Sequence, residues 1–187
     1  DFLRYYLASK LTNKIDDIDF NLEDFQKKVN TDLVGKFINI ASRVQKFLKS
    51  NGNRIGSELD EKIVDSFRNK TSAIFSDYVT LDYSNAIKKI MKLADSANQY
   101  IDHNQPWVLA REKVNEKEVI KISSTGMNLF RILNICLEPI IPETTSKIKV
   151  YLNLEQDNLE NLESSIKNHE IQNFKPLIER IEDEKIE

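Results

Sequence analysis

The chain contains 187 residues, of which 40% are hydrophobic and nine are phenylalanine, enough to bury the core of one domain or of one domain with an appendage. Four glycines and four prolines are too few for an all-β protein with many tight turns. The net charge of −3 argues against a protein that coats nucleic acid without sequence preference, because phosphate contacts need lysine and arginine.

Other features of the composition narrow the class of protein further. No apolar run reaches the roughly 18 residues of a membrane span, so no membrane partner is expected. A single cysteine, Cys136, excludes an internal disulfide and a multi-cysteine zinc site, and it fits a reducing, cytoplasmic compartment. Because Asp1 opens directly into a helical pattern, we expect the chain to be a piece of a longer protein.

Two amphipathic helices are predicted at the start of the chain. Residues 1–12 carry a broad apolar face, and a polar connection follows them. Asn21 is the expected N-cap of a long helix that ends near Ser50, where an Asn-Gly-Asn sequence stops it. Its core-facing side chains recur every three or four residues, at Val29, Leu33, Phe37, Ile40, Val44 and Phe47.

Further amphipathic segments predict the rest of the helices. Ser57 is the expected cap of the next helix, and Pro142 suits the first position of a short one. The predicted bounds are about 57–78, 83–105, 115–137 and 142–152. Five main helices with short connections predict an all-α antiparallel bundle, an architecture that does not by itself specify a function.

Beyond the last predicted helix, the sequence becomes polar and rich in asparagine and glutamate. We predict a helical bundle over residues 1–152, and a loop with a C-terminal return peptide over 153–187. The tail is expected to pack back on the bundle.

Pro106 and Trp107 mark a corner in the chain. Proline cannot continue a preceding helix but suits the first turn of a new one, so the only tryptophan should sit at a sharp turn. A ring held there can stack on an unpaired nucleic-acid base, or it can fill the gap between two helices. Position alone favours the second interpretation.

Asn39 and Arg43 are four residues apart on the long helix, so they share a face beside its apolar stripe. An amide and a guanidinium can together contact a base edge or a phosphate. The alternative is an ordinary helix flank on which Arg43 pairs with a carboxylate.

Other polar residues give weaker signals. Asp16, Asp17 and Asp19 cluster in the first connection, but they lack the spacing of a calcium loop and are expected to be solvated carboxylates. Cys136 is expected to be an inert buried thiol, and two distant histidines do not predict a metal site. We therefore predict that this chain has no active site of its own.

Several motifs, taken together and in order, resemble class I aminoacyl-tRNA synthetases. Asp1-Phe2-Leu3-Arg4 is similar to the Asp-Ala-Leu-Arg signature that opens their anticodon-binding bundle. The others resemble the methionyl-tRNA synthetase family: Ile15-Asp16-Asp17-Ile18-Asp19-Phe20-Asn21, Asn39-Ile40-Ala41-Ser42-Arg43, Ala94-Asp95-x-Ala97-Asn98-x-Tyr100, Gly126-Met127-Asn128-Leu129-Phe130-Arg131-Ile132-Leu133, Leu137-x-Pro139-Ile140-Ile141-Pro142 and Phe174-Lys175-Pro176-Leu177-Ile178-x-Arg180-Ile181.

The resemblance implies a role in reading the CAU anticodon loop of tRNA(Met). By that resemblance, Trp107 stacks on an anticodon base and Pro106 shapes the wall beside it. Asn39 and Arg43 contact base edges and nearby backbone, and Asp102 helps to set the conformation of the site. The interpretation requires Trp107 to lie close to Asn39 and Arg43.

The resemblance also implies what surrounds this chain. The full enzyme joins methionine to its tRNA using ATP and Mg²⁺, but the catalytic motifs are absent here, so the chain itself is expected to hold no cofactor. The implied partners are tRNA and the catalytic domain of the same chain, and not DNA. The alternatives are the anticodon-binding bundle of another class I synthetase, or a purely structural helical module with a buried Trp107 and a salt-bridged Arg43.

Overall fold

The computed structural model describes residues 1–14, 17–154 and 156–182, and its regular elements confirm the predicted all-α bundle. A long helix near the start combines α2, a π-helical segment and α3. In chain order the elements are α1 (Phe2–Lys10), α2 (Leu22–Val29), the π-helical segment (Asn30–Ile38), α3 (Asn39–Ser50), α4 (Glu61–Val79), α5 (Tyr83–Asn104), α6 (Pro106–Leu109), a 3₁₀ turn (Lys113–Asn115), α7 (Glu116–Leu137), α8 (Pro142–Leu152) and a 3₁₀ turn (Leu159–Asn161). No helix in the described ranges is long and apolar enough to cross a bilayer.

The long helix begins as predicted. The side chain of Asn21 accepts a hydrogen bond from the backbone N–H of Asp24 at 2.8 Å. Every residue of the predicted apolar stripe, from Val29 to Phe47, is buried. The π-helical segment was not predicted, because the change from i→i+4 to i→i+5 hydrogen bonds leaves no distinct hydrophobic period over so short a stretch.

The start of α4 differs from the prediction. Its N-cap is Asp60 and not Ser57. The residues before it stay non-helical because α7 supplies partners for their backbone. The N–H of Gly56 donates to Ser124 Oγ at 2.8 Å, and the N–H of Asp60 donates to Thr125 Oγ1 at 2.9 Å. Bonds to a helix distant in sequence therefore override the local capping signal.

Helix α7 forms the centre of the bundle. Its residues 122–137 are all buried, and it packs against α3, α4, α5 and α8. At Gly126 a Cβ atom would lie 3.1 Å from Val44 Cγ1 and 3.5 Å from Ile101 Cδ1, so α7 approaches α3 and α5 there more closely than most side chains allow.

Polar side chains of α7 also fix the loop that follows α8. Arg131 and Asp157 form a two-bonded ion pair, with Nε–Oδ2 2.9 Å and Nη2–Oδ1 2.6 Å, and each side chain is only 2% exposed. The Asn128 side chain both donates to Ile166 O at 3.0 Å and accepts from Ile166 N at 2.9 Å. The loop is thereby held on the core.

The end of the described chain returns to the bundle, as predicted. The backbone N–H of Ile181 donates to Asn30 Oδ1 at 2.9 Å, and its carbonyl accepts from Asn30 Nδ2 at 2.9 Å. The Phe174 ring meets Tyr151 edge-on, with centroids 5.3 Å apart. The division of the chain at residue 152 stays a prediction, since residues on both sides of it pack on the same core.

Replacing Arg131 with methionine is expected to lower the free energy of unfolding by about 3–5 kcal/mol, because the Asp157 carboxylate then stays buried without its partner. Urea unfolding followed by circular dichroism measures the change. Lys121→Ala is the matched control on the same helix, where an exposed pair with Glu118 at 3.5 Å is worth about 0.5 kcal/mol or less. Equal losses in the two variants would contradict the prediction.

Replacing Gly126 with valine is expected to lower the free energy of unfolding by about 1–3 kcal/mol, because the added atoms overpack the contact with Val44 and Ile101. The same unfolding measurement applies. The cost of the substitution should be smaller in a Val44→Ala background, where the closest contact atom is missing. Additive effects of the two substitutions would show that the contact does not limit the packing.

Candidate nucleic-acid interface

The predicted corner is present where α5 gives way to α6. Helix α5 ends at Asn104, and Gln105 follows in the left-handed region with φ 43°. Such a backbone conformation costs a non-glycine residue about 1 kcal/mol or more. Pro106 then takes the first position of α6 and is buried, while Trp107 is half-buried. The ring is therefore held by the fold with part of its surface exposed to solvent.

A ladder of side-chain pairs joins the long helix to α5. Lys36 Nζ lies 2.9 Å from Asp95 Oδ2. Asn39 Nδ2 donates to Asn98 Oδ1 at 3.0 Å.

Arg43 forms the next side-chain pair between the long helix and α5, and its guanidinium also contacts Trp107 at the corner. It forms an ion pair with Asp102 and also donates from Nη1 to Asn98 Oδ1 at 3.4 Å. Its guanidinium carbon lies 5.1 Å from the centre of the Trp107 ring, which is within the range of a cation–π contact.

The structure thus brings together the residues that the sequence analysis selected. Asn39 and Arg43 share one acceptor on α5, and Arg43 connects that acceptor to Trp107 and Asp102. The arrangement offers a ring face, a guanidinium and an amide to one ligand. It also contains the Arg43 ion pair that the structural alternative predicts.

Electrostatic effects at this interface are local. The hydrogen bond from Arg43 lowers the pKa of the exposed Asp102 carboxyl, because it stabilises the charged form. Burial raises the pKa of Tyr100, one turn before the corner, to about 12 and keeps that phenol neutral. The cation and the carboxylate largely cancel, which leaves stacking and hydrogen bonding as the main attractions for a ligand.

Three residues of the ladder were not selected from the sequence as site residues: Lys36, Asp95 and Asn98. A signal for them exists, because positions 36, 39 and 43 have the same spacing as positions 95, 98 and 102. Two helices that run in the same direction, with polar residues at the same successive intervals of three and four, can pair at each of these positions.

The weaker candidates remain apart from this interface. Cys136 is buried in α7, and burial raises the pKa of its thiol to about 12, as expected for an inert cysteine. The His169 ring bonds Leu152 O at 2.7 Å, and His103 is exposed. Asp17 and Asp19 are exposed, and Asp16 lies outside the described residues. The described part of the chain contains no group of three or more potential metal ligands of the His, Cys, Asp and Glu type.

Comparison with known proteins gives two family matches along the chain. Residues 50–187 match the family model described as the anticodon binding domain of methionyl tRNA ligase. Residues 1–45 match the model described as tRNA synthetases class I (M).

Curated relatives and solved structures agree with these matches. The chain is 39% identical to a methionine–tRNA ligase of Dichelobacter nodosus over 98% of its length, and 41% identical to one of Francisella tularensis over 100% of its length. It spans 28% of the length of each.

A crystal structure of the apo methionyl-tRNA synthetase of Mycobacterium tuberculosis shares the fold. Its TM-score is 0.86 at 18% identity, over 97% of this chain and 39% of that one. Because one family model accounts for most of the sequence, the chain belongs to the family of the anticodon binding domain of methionyl tRNA ligase.

Proposed function

We propose that the surface around Trp107 binds the CAU anticodon loop of tRNA(Met). One observation carries the proposal: a half-buried tryptophan ring, the Arg43 guanidinium 5.1 Å from it and the Asn39 amide converge through shared contacts on one surface. Proteins that read single-stranded RNA by sequence stack splayed bases on aromatic rings and hydrogen-bond the base edges.

Each residue has a proposed task. Trp107 stacks on an unstacked anticodon base, and buried Pro106 forms the rigid wall that fixes the ring. Asn39 and Arg43 hydrogen-bond base edges and nearby backbone. Asp102 holds the Arg43 guanidinium in place through their ion pair, which limits the conformational entropy lost on binding.

The acidic net charge of the chain is compatible with this role. Stacking contributes about 1–3 kcal/mol per base and needs no phosphate contact. Exposed cations lie close in sequence to the site: Lys46 follows Arg43 by one turn, and Arg111 and Lys113 follow α6. They can contact the loop backbone while the rest of a longer enzyme binds the remainder of the tRNA.

The proposal extends to the whole protein to which this chain corresponds. Its curated relatives are named methionine–tRNA ligases, and this chain spans only part of them. We propose that the complete protein attaches methionine to tRNA(Met) in the cytoplasm, using ATP and Mg²⁺ bound outside the present chain. The structural alternative is favoured by one observation, the Arg43–Asp102 ion pair, and the following experiments separate the two.

Trp107→Ala is expected to weaken binding of a CAU anticodon stem-loop by about tenfold or more, because the stacking platform is lost. Fluorescence anisotropy of labelled RNA at one fixed salt concentration measures the affinity. Val108→Ala is the matched control, since Val108 lies in the same short helix and is 42% exposed. Unchanged affinity in the Trp107 variant would support the structural module instead.

The emission of the single tryptophan provides a second test. Binding of the CAU stem-loop is expected to quench Trp107 fluorescence, because a stacked base contacts the ring directly. A stem-loop with a scrambled anticodon should leave the emission unchanged at the same concentration. Emission that is indifferent to both RNAs, or equally quenched by both, would argue against anticodon reading at this ring.

A further inference from the structure

The Asn98 side chain has only one orientation that satisfies its neighbours. Its Nδ2 donates to the backbone carbonyl of Lys36 at 2.9 Å and to that of Ala94 at 3.0 Å. Carbonyl oxygens only accept, so the nitrogen end of this amide must face them. The Oδ1 of Asn98 therefore points toward Asn39 and Arg43.

This orientation fixes the next amide in turn. Arg43 can only donate, so its bond to Asn98 Oδ1 confirms which end of Asn98 is the oxygen. Asn39 must then present its nitrogen to the same atom, at 3.0 Å. The carbonyl oxygen of the Asn39 amide is therefore the end that does not bond Asn98. Asn39 is only half-buried, and no described residue donates a hydrogen bond to that oxygen.

We propose that Asn98 is a positioning residue that holds the Asn39 carbonyl oxygen toward the RNA, so that the interface accepts a hydrogen bond from the exocyclic amino group of a base. This inference rests on the proposed function. Cytosine and adenine carry such an amino group, whereas uracil has a carbonyl oxygen in the corresponding place. Two facing carbonyl oxygens cannot bond, so uracil is disfavoured at this contact.

The role of Asn98 follows from the rotation that the Asn39 amide would undergo without it. Without the Asn98 oxygen, Asn39 can rotate by half a turn and offer either its nitrogen or its oxygen to the ligand. Asn39 would then bond an amino group or a carbonyl equally well, and discrimination would be lost. Reading by Asn39 thus depends on a residue 59 positions away that need not touch the RNA.

The test compares three anticodon stem-loops that differ by single amino groups. The first is CAU, the second has 2-pyrimidinone in place of cytosine, and the third has purine in place of adenine. Removing the amino group that Asn39 contacts is expected to weaken binding to the unaltered protein by about tenfold. Equal affinity for all three RNAs would overturn the inference.

Asn98→Ala should reduce this discrimination to about twofold or less, because Asn39 is free to turn. A merely structural role would weaken binding of all three RNAs equally. The ratio of the affinity for CAU to the affinity for each altered RNA would then stay unchanged, and this result would overturn the inference. Ser96→Ala is the matched control: Ser96 lies on the same helix, and its hydroxyl donates to Lys92 O one turn before it. This control variant should keep the same ratio of affinities for CAU and the altered RNAs as the unaltered protein.

Asn39→Ala keeps the proposal testable if Asn98→Ala does not fold. The Asn39 variant should lose the same discrimination between CAU and the altered RNAs. Adding Asn98→Ala to it should not lower the ratio of these affinities any further. Discrimination that survives in folded Asn39→Ala would overturn the inference. Failure of the proposed function is recognised separately, since Trp107→Ala would then bind CAU as tightly as the unaltered protein does.

Discussion

The close approach of α7 to α3 and α5 controls both the packing of the core and the geometry of the proposed interface. Gly126 lies at this contact, next to Val44 of α3 and Ile101 of α5. Val44 follows Arg43 in sequence and Ile101 precedes Asp102, so core packing at the glycine sets the distance across which the surface ion pair forms. A close-packed interior transmits such constraints because it has little free volume to absorb them.

The polar side chains of the same helix determine where the non-helical segments lie. A buried polar group without a partner costs free energy, so bonds between such groups and other segments of the chain stabilise the fold. Ser124 and Thr125 bond the chain before α4, and Asn128 and Arg131 bond the loop after α8. The central helix therefore specifies the path of connections that have little regular structure of their own.

The candidate interface relies on fixed geometry more than on charge. The Arg43 cation is balanced by Asp102, and the chain as a whole is acidic. Long-range attraction to phosphate is therefore weak, and the proposed selectivity comes from a ring held by a corner and an amide held by a neighbouring amide. Preorganised groups of this kind lose little conformational entropy when a ligand binds.

The sequence by itself determined the approximate positions of the main helices, the buried stripe of the long helix, the Pro106 corner and the face shared by Asn39 and Arg43. Each of these depends on residues within one or two turns of one another, so periodicity and capping rules are sufficient. Only the tertiary structure decided the start of α4, the partner of Arg43 and the orientation of the Asn39 amide. These depend on bonds to α5 and α7 between residues more than 50 positions apart in sequence, and local patterns contain no information about which distant donor meets which acceptor.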